Sequence, residues 1–162
     1  MLEQGKLLSA IRELLHINYN LKVTKIKRGS VLMTIELKKK DALELLILNF
    51  IGKLNKLNSY GVLDIFSSDY THMKIDDILN EYNKLEKNPL IDGKREEGKI
   101  VFIDENNGYG IIHRKLGGYL KFILPEGRGA RGLGRKVSFD IELNKIGAHI
   151  IDRGKSQNDW NT

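Results

Sequence analysis

The sequence predicts an α+β chain of two modules. An N-terminal αββαβ domain is expected over residues 1–69, a linker carrying one helix over 70–96, a C-terminal five-stranded antiparallel β-barrel over 97–153, and a flexible polar tail over 154–162. Three observations predict this layout. Apolar residues recur at helical spacing on either side of an alternating stretch in the first third of the chain; one amphipathic segment ending at Asn88-Pro89 follows; and five short β-type runs separated by turn residues crowd the last third.

In the first module Leu7, Leu8, Ile11, Leu14 and Leu15 predict an amphipathic helix over 3–16, ended by Asn18 and Asn20. Leu21 to Lys27 and Val31 to Leu37 read as strands, the second alternating Val31, Met33, Ile35 and Leu37 against Thr34 and Glu36. Arg28-Gly29-Ser30 joins them as a hairpin connection. Asp41 and Glu44 form an acidic version of the capping-box signature, and Leu43, Leu46, Ile47, Phe50, Leu54 and Leu57 carry the helix that follows to Leu57. Asn58 to Gly61 stops it, and Val62 to Phe66 is a third short strand beside the hairpin. His16 stands alone at a helix end, where capping or solvent exposure is the expected role, and no catalytic constellation is visible in this module.

The linker helix has Ile75, Ile78, Leu79, Tyr82 and Leu85 on one face and Asp76, Asp77, Glu81 and Glu86 on the others. It ends before Asn88-Pro89, because the residue preceding proline is pushed to extended conformations. Its apolar face must pack on the first module, the second, or another chain. The β-type runs beyond it are Gly98–Asp104, Tyr109–Lys115, Tyr119–Leu124, Arg135–Glu142 and Ala148–Arg153. Glu105-Asn106-Asn107-Gly108, Leu116-Gly117-Gly118, the glycine-rich stretch Pro125–Gly134 and Asn144–Gly147 separate them. Closure into a small barrel removes the edges that a flat five-stranded sheet would expose, and an OB-type barrel is the economical form at this length.

Composition narrows the function classes. The absence of cysteine among 162 residues removes disulfide frameworks, thiolate zinc sites and a cysteine nucleophile, and accords with a reducing compartment. The most apolar stretch, Leu43 to Leu48, is far too short for a membrane span, and Glu3, Arg12 and Glu13 interrupt what would be a signal peptide's apolar core, so a cytoplasmic location is expected. A net charge of +6 and a pI near 9.4 favour an anionic partner. The charge is local: residues 1–69 hold 11 basic and 7 acidic groups, 70–95 hold 5 and 5, and 96–162 hold 11 and 9. Two basic clusters stand out, Lys38-Lys39-Lys40 and the acid-free set Arg128, Arg131, Arg135 and Lys136.

Two resemblances add to these readings. Val23 to Ile65, with Arg28-Gly29-Ser30-Val31, an acid-capped leucine-rich helix and Gly61-Val62, resembles small αββαβ domains appended to bacterial conflict-system effectors and adaptors. That implies a docking role, with a protein partner or self-association through residues 1–69. In the second module, Gly98-Lys99-Ile100-Val101-Phe102-Ile103-Asp104, Asn107-Gly108-Tyr109-Gly110-Ile111-Ile112, Tyr119-Leu120-Lys121-Phe122 and Lys136-Val137-Ser138-Phe139-Asp140-Ile141-Glu142 resemble the cold-shock domain in order and spacing over 56 residues, Gly98 to Arg153.

The cold-shock resemblance implies a face on which unstacked bases lie against aromatic rings, with single-stranded RNA or DNA as the partner. Carried across, Tyr109 and Tyr119 take the strongest stacking positions, and Phe102 takes the place of the family's first-strand tryptophan unless a one-residue bulge moves it. Lys99 and Lys121 would place charge beside the rings, and the glycines around Tyr109 would leave room for a nucleotide. The glycine-rich loop would bring Arg128, Arg131 and Arg135 beside the same face; it lacks the Gly-Lys-Ser/Thr ending and following helix of a nucleotide-binding loop. The chain departs from the pattern at Ile111, where an aromatic is expected, at Asn107 in place of lysine, at Lys121 in place of histidine, and at Ile103 in place of another aromatic. Fewer rings imply weaker, more charge-dependent binding. Tyr109 and Tyr119 also fit a plainer description, as half-buried barrel residues.

His72, His113 and His149 have no companions at metal-ligand spacing, and no nucleophile elbow or paired carboxylates can be placed together. A non-catalytic protein with no cofactor and no metal is therefore expected. Two function classes remain: a single-stranded nucleic-acid binder with a docking module, and a structural adaptor in a bacterial defence or other multiprotein assembly, whose barrel is a protein contact. RNA and DNA are not distinguished, because a stacking face accepts either.

Overall fold

In the computed structural model, which describes residues 2–27, 32–60, 65–70, 72–124, 132–144 and 147–151, the chain is mixed α+β and divides into two units, Met1–Met73 and Lys74–Thr162. The first contains α1 (Leu2–Leu15), the antiparallel pair β1 (Lys22–Lys27) and β2 (Leu32–Glu36), α2 (Lys39–Phe50) and the single turn α3 (Asn55–Asn58). Ile11 and Leu15 of α1 are buried in one cluster with Leu45 of α2, Leu54, and Leu57 of α3. Ile35 and Leu37 are partly buried against it, so the alternation expected of the hairpin does direct apolar side chains to the helices.

Helix ends account for most differences from the sequence-based expectation in this unit. The helix expected to reach Leu57 stops at Phe50. Gly52, at φ 76°, follows it; the Lys53 N–H donates to the Leu48 carbonyl at 2.9 Å and the Gly52 N–H to that of Asn49 at 3.2 Å. This is a Schellman motif, and of the later leucines of the apolar series Leu54 precedes and Leu57 belongs to the separate turn α3. The start also differs: α2 begins at Lys39, Lys38 supplies no side-chain cap, and Asp41 instead accepts a hydrogen bond from the Tyr19 hydroxyl at 2.5 Å. Of the expected third strand, residues 62–64 lie outside the described residues, and Ile65 and Phe66 are not in a strand.

The second unit contains α4 (Ile75–Lys84), β3 (Arg95–Asp104), β4 (Tyr109–Arg114), β5 (Tyr119–Ile123), β6 (Lys136–Asn144) and β7 (Gly147–Ile151). The first four strands form a curled antiparallel sheet in the order β5-β4-β3-β6. β7 runs antiparallel to β6 and closes the ring on β5 through the parallel pair Lys121↔His149. Ile100, Ile112, Leu120, Phe122, Val137, Phe139 and Ile141 fill the interior. Gly110 is required by this core: a Cβ there would lie 2.4 Å from the Phe122 ring.

The apolar face of α4 packs within this unit, against β5 and β7, with Ile78, Leu79 and Tyr82 buried. The chain between α4 and β3 is likewise held to the strands. Leu90 packs against the core, the Asn88 side-chain amide donates to the Leu116 carbonyl at 2.9 Å, and the Gly93 N–H donates to Ile141 at 2.7 Å. β3 also begins earlier than expected, with Arg95, Glu96 and Glu97 pairing to β6. Among the described residues no helix is long and apolar enough to cross a membrane.

Candidate nucleic-acid interface

Because strand side chains alternate, β3, β4 and β5 present an outer face opposite the core residues Ile100, Ile112, Leu120 and Phe122. Register groups its positions into three rows: Lys99, His113 and Tyr119; Phe102, Ile111 and Lys121; Asp104, Tyr109 and Ile123. A register shift between Ile100 and Phe102 inserts Val101 as an extra residue. This bulge decides the fate of Phe102. Without it Phe102 would share the inward parity of Ile100; with it Phe102 pairs with Ile111 and faces outward. Its ring centroid lies 5.8 Å from that of Tyr109, in a tilted arrangement.

Lys121 completes a charged aromatic cluster. Its Nζ lies 4.5 Å from the Tyr109 ring centroid, within cation–π range, and 3.2 Å from the Asp76 carboxylate at the start of α4. Burial raises the Tyr109 hydroxyl above the ordinary tyrosine range, and the negative fields of Asp104 and Asp76 add to the effect. Asp104 is held below the usual carboxylate range chiefly by the Asn107 side-chain amide, which donates to it at 2.7 Å, and then by the Asn107 backbone N–H. Asn107, read as the loss of a lysine, thus fixes the β3–β4 turn. Ile123, at the end of the third row, is 79% exposed.

The other part of the face is closed. Tyr119 is 3% exposed, with Tyr82 of α4 edge-on at 5.5 Å and the His113 ring stacked on it at 4.6 Å. The expectation of an open stacking ring at Tyr119 is therefore corrected: α4 occupies that position. Asn83 pins the helix there, its side chain donating to the Tyr119 carbonyl at 2.7 Å and accepting from the Tyr119 N–H at 2.9 Å. The close approach needs Gly118, where a Cβ would lie 2.5 Å from the Asn83 side-chain oxygen. Ile111 is also fully buried on this face.

The expected site residues thus separate. Phe102, Tyr109 and Lys121 cluster; Lys99 is exposed on the same face beside His113; Tyr119 is covered. Arg135 precedes β6, and its carbonyl accepts the Ile100 N–H next to the bulge at 2.9 Å. Arg128 and Arg131 lie outside the described residues. The glycines expected to make room for a nucleotide do other work: Gly110 faces the core, and Gly108 occupies the turn at φ 69°. Two participants were missed in the sequence. His113 is an exposed ring on the outer face, legible from its parity with Tyr109; Asp76, from a segment read as linker, had no signal in the strands. No group of three or more potential metal ligands occurs among the described residues. Comparisons with protein-family models, curated proteins and solved structures give no match.

Proposed function

We propose that the protein is a non-catalytic binder of single-stranded RNA or DNA, and that its contact surface is the Phe102–Tyr109 end of the outer face. The observation that carries this reading is the pair of half-buried rings with the Lys121 ammonium 4.5 Å from one of them. Aromatic platforms stack any base for roughly 1–3 kcal/mol each, and a neighbouring cation attracts the backbone. The ring order of first, second, third, fifth and fourth strand, closed by a parallel third–fifth pair, supports an OB-type, cold-shock-like barrel. With α4 over Tyr119, Phe102 and Tyr109 are the stacking platform at this end of the face, which favours a short footprint and a modest affinity whose logarithm falls with log salt by about 0.7 per phosphate contacted. The first unit serves association with a protein partner or a second copy, and the absence of cysteine agrees with a cytoplasmic setting.

Fluorescence anisotropy with labelled oligothymidine and oligouridine at low salt tests the reading. Binding is expected, with a loss of about tenfold or more in the Phe102→Ala, Tyr109→Ala double variant. The absence of binding by the unaltered protein would remove this function. The burial of Tyr119 favours a second reading, an adaptor whose barrel contacts protein. A stoichiometric protein partner that co-purifies without nucleic acid and survives nuclease treatment would select it.

A further inference from the structure

The Lys121 ammonium lies 4.5 Å from the Tyr109 ring centroid, yet its charge is already engaged by a carboxylate from outside the sheet. Asp76 stands in the first turn of α4, 3.2 Å from the Lys121 Nζ through one oxygen and 3.3 Å through the other. The helix is not loosely placed. Ile78, Leu79 and Tyr82 are buried and Asn83 is bonded to both backbone groups of Tyr119, so Asp76 is delivered to Lys121 by a fixed element. The pair itself remains reachable, with the lysine and aspartate side chains 35% and 42% exposed.

We propose that Asp76 is an intramolecular competitor for the backbone phosphate of a strand bound at Tyr109, and so raises the affinity that an anion must bring to the site from contacts other than Lys121. The inference rests on the nucleic-acid reading above. A phosphodiester that approaches Lys121 must displace the Asp76 carboxylate or share the lysine with it. A polyanion without bases gains only the charge contact and meets that opposition in full, whereas a single strand offsets it by stacking on Tyr109 and Phe102. Asp76 therefore weakens all anions, and those that carry bases offset the loss by stacking. The charge of Asp76 also adds, after burial and Asp104, to raising the Tyr109 hydroxyl.

The test compares the full-length protein with Asp76→Asn, Asp77→Asn, Lys121→Gln and the Asp76→Asn, Lys121→Gln double variant, titrated with labelled oligouridine and with inorganic polyphosphate. Asp77 is the control, an exposed acid in the same turn. Asp76→Asn is expected to tighten oligouridine about threefold to tenfold and polyphosphate by at least as much, Asp77→Asn by less than about twofold, and the Asp76→Asn gain should vanish when Lys121 is Gln. Asp76→Ser serves as a second variant should the amide disturb the helix start. If Asp76→Asn matches Asp77→Asn, or its gain persists without Lys121, the competitor role is overturned while the nucleic-acid reading stands. If neither the unaltered protein nor any variant binds oligouridine, the nucleic-acid reading itself fails, and this inference with it.

Discussion

Arg114 and Glu96 form an ion pair whose side chains are 0% and 1% exposed, with Nε to Oε1 and Nη2 to Oε2 both at 2.8 Å. The remaining guanidinium nitrogen donates to the carbonyls of Gly117 at 2.7 Å and Asn88 at 3.1 Å, tying the α4–β3 connection to the β4–β5 turn. Desolvating such a pair offsets much of its attraction, but breaking it strands a buried charge. Arg114→Met is therefore expected to destabilise the second unit by about 3–5 kcal/mol, and Arg114→Met with Glu96→Leu by much less, measured by urea unfolding. Equal losses in both would contradict this account. Arg114 was legible in principle, since it shares the inward parity of Ile112, but it reads as the polar end of a strand. Its partner stands in a stretch that carries no strand signal of its own. The Phe102 ring was ambiguous for a related reason: its outward direction depends on the bulge at Val101, and one inserted residue reverses a face.

At the scale of elements, α4 shapes the site more than any strand does. Its existence was legible from Ile75, Ile78, Leu79 and Tyr82, but its destination was not, because an apolar stripe does not name the surface that receives it. The receptor is built from Asn83, the Tyr119 backbone and the Cβ-free positions at Gly117 and Gly118, none of which reads as a docking signal in sequence. Asn83→Ala would leave a buried N–H and a buried carbonyl without their partner, a loss of about 2–4 kcal/mol. Amide hydrogen exchange is expected to quicken across residues 75–84 while β3, β4 and β6 stay protected; unchanged protection of α4 would contradict the pinning role. In the first unit the apolar series past Gly52 suggested one long helix, and the glycine's place as a terminator emerges only once the Leu48 and Asn49 carbonyls are seen to be satisfied around it.

Across the molecule, the strands of the second unit and the hairpin of the first lie close to where alternation and turn chemistry placed them, while the ends of α2 differ and the docking of α4 was left open. The reason is physical. Alternation is written along a strand, whereas the meeting of α4 with β5 joins residues 36 apart through one amide and two glycines. The same meeting turns a face of several expected stacking positions into a narrow one, with Phe102 and Tyr109 beside a lysine that Asp76 already holds. Two-dimensional NMR of the full chain during titration with short oligouridine shows directly whether binding is confined to that narrow face. Shifts concentrated at Phe102, Tyr109, Lys121 and Ile123, with the Tyr119–Asn83 contact undisturbed, are the predicted result; shifts spread evenly over both units, or a site centred on Tyr119 with α4 released, would contradict it.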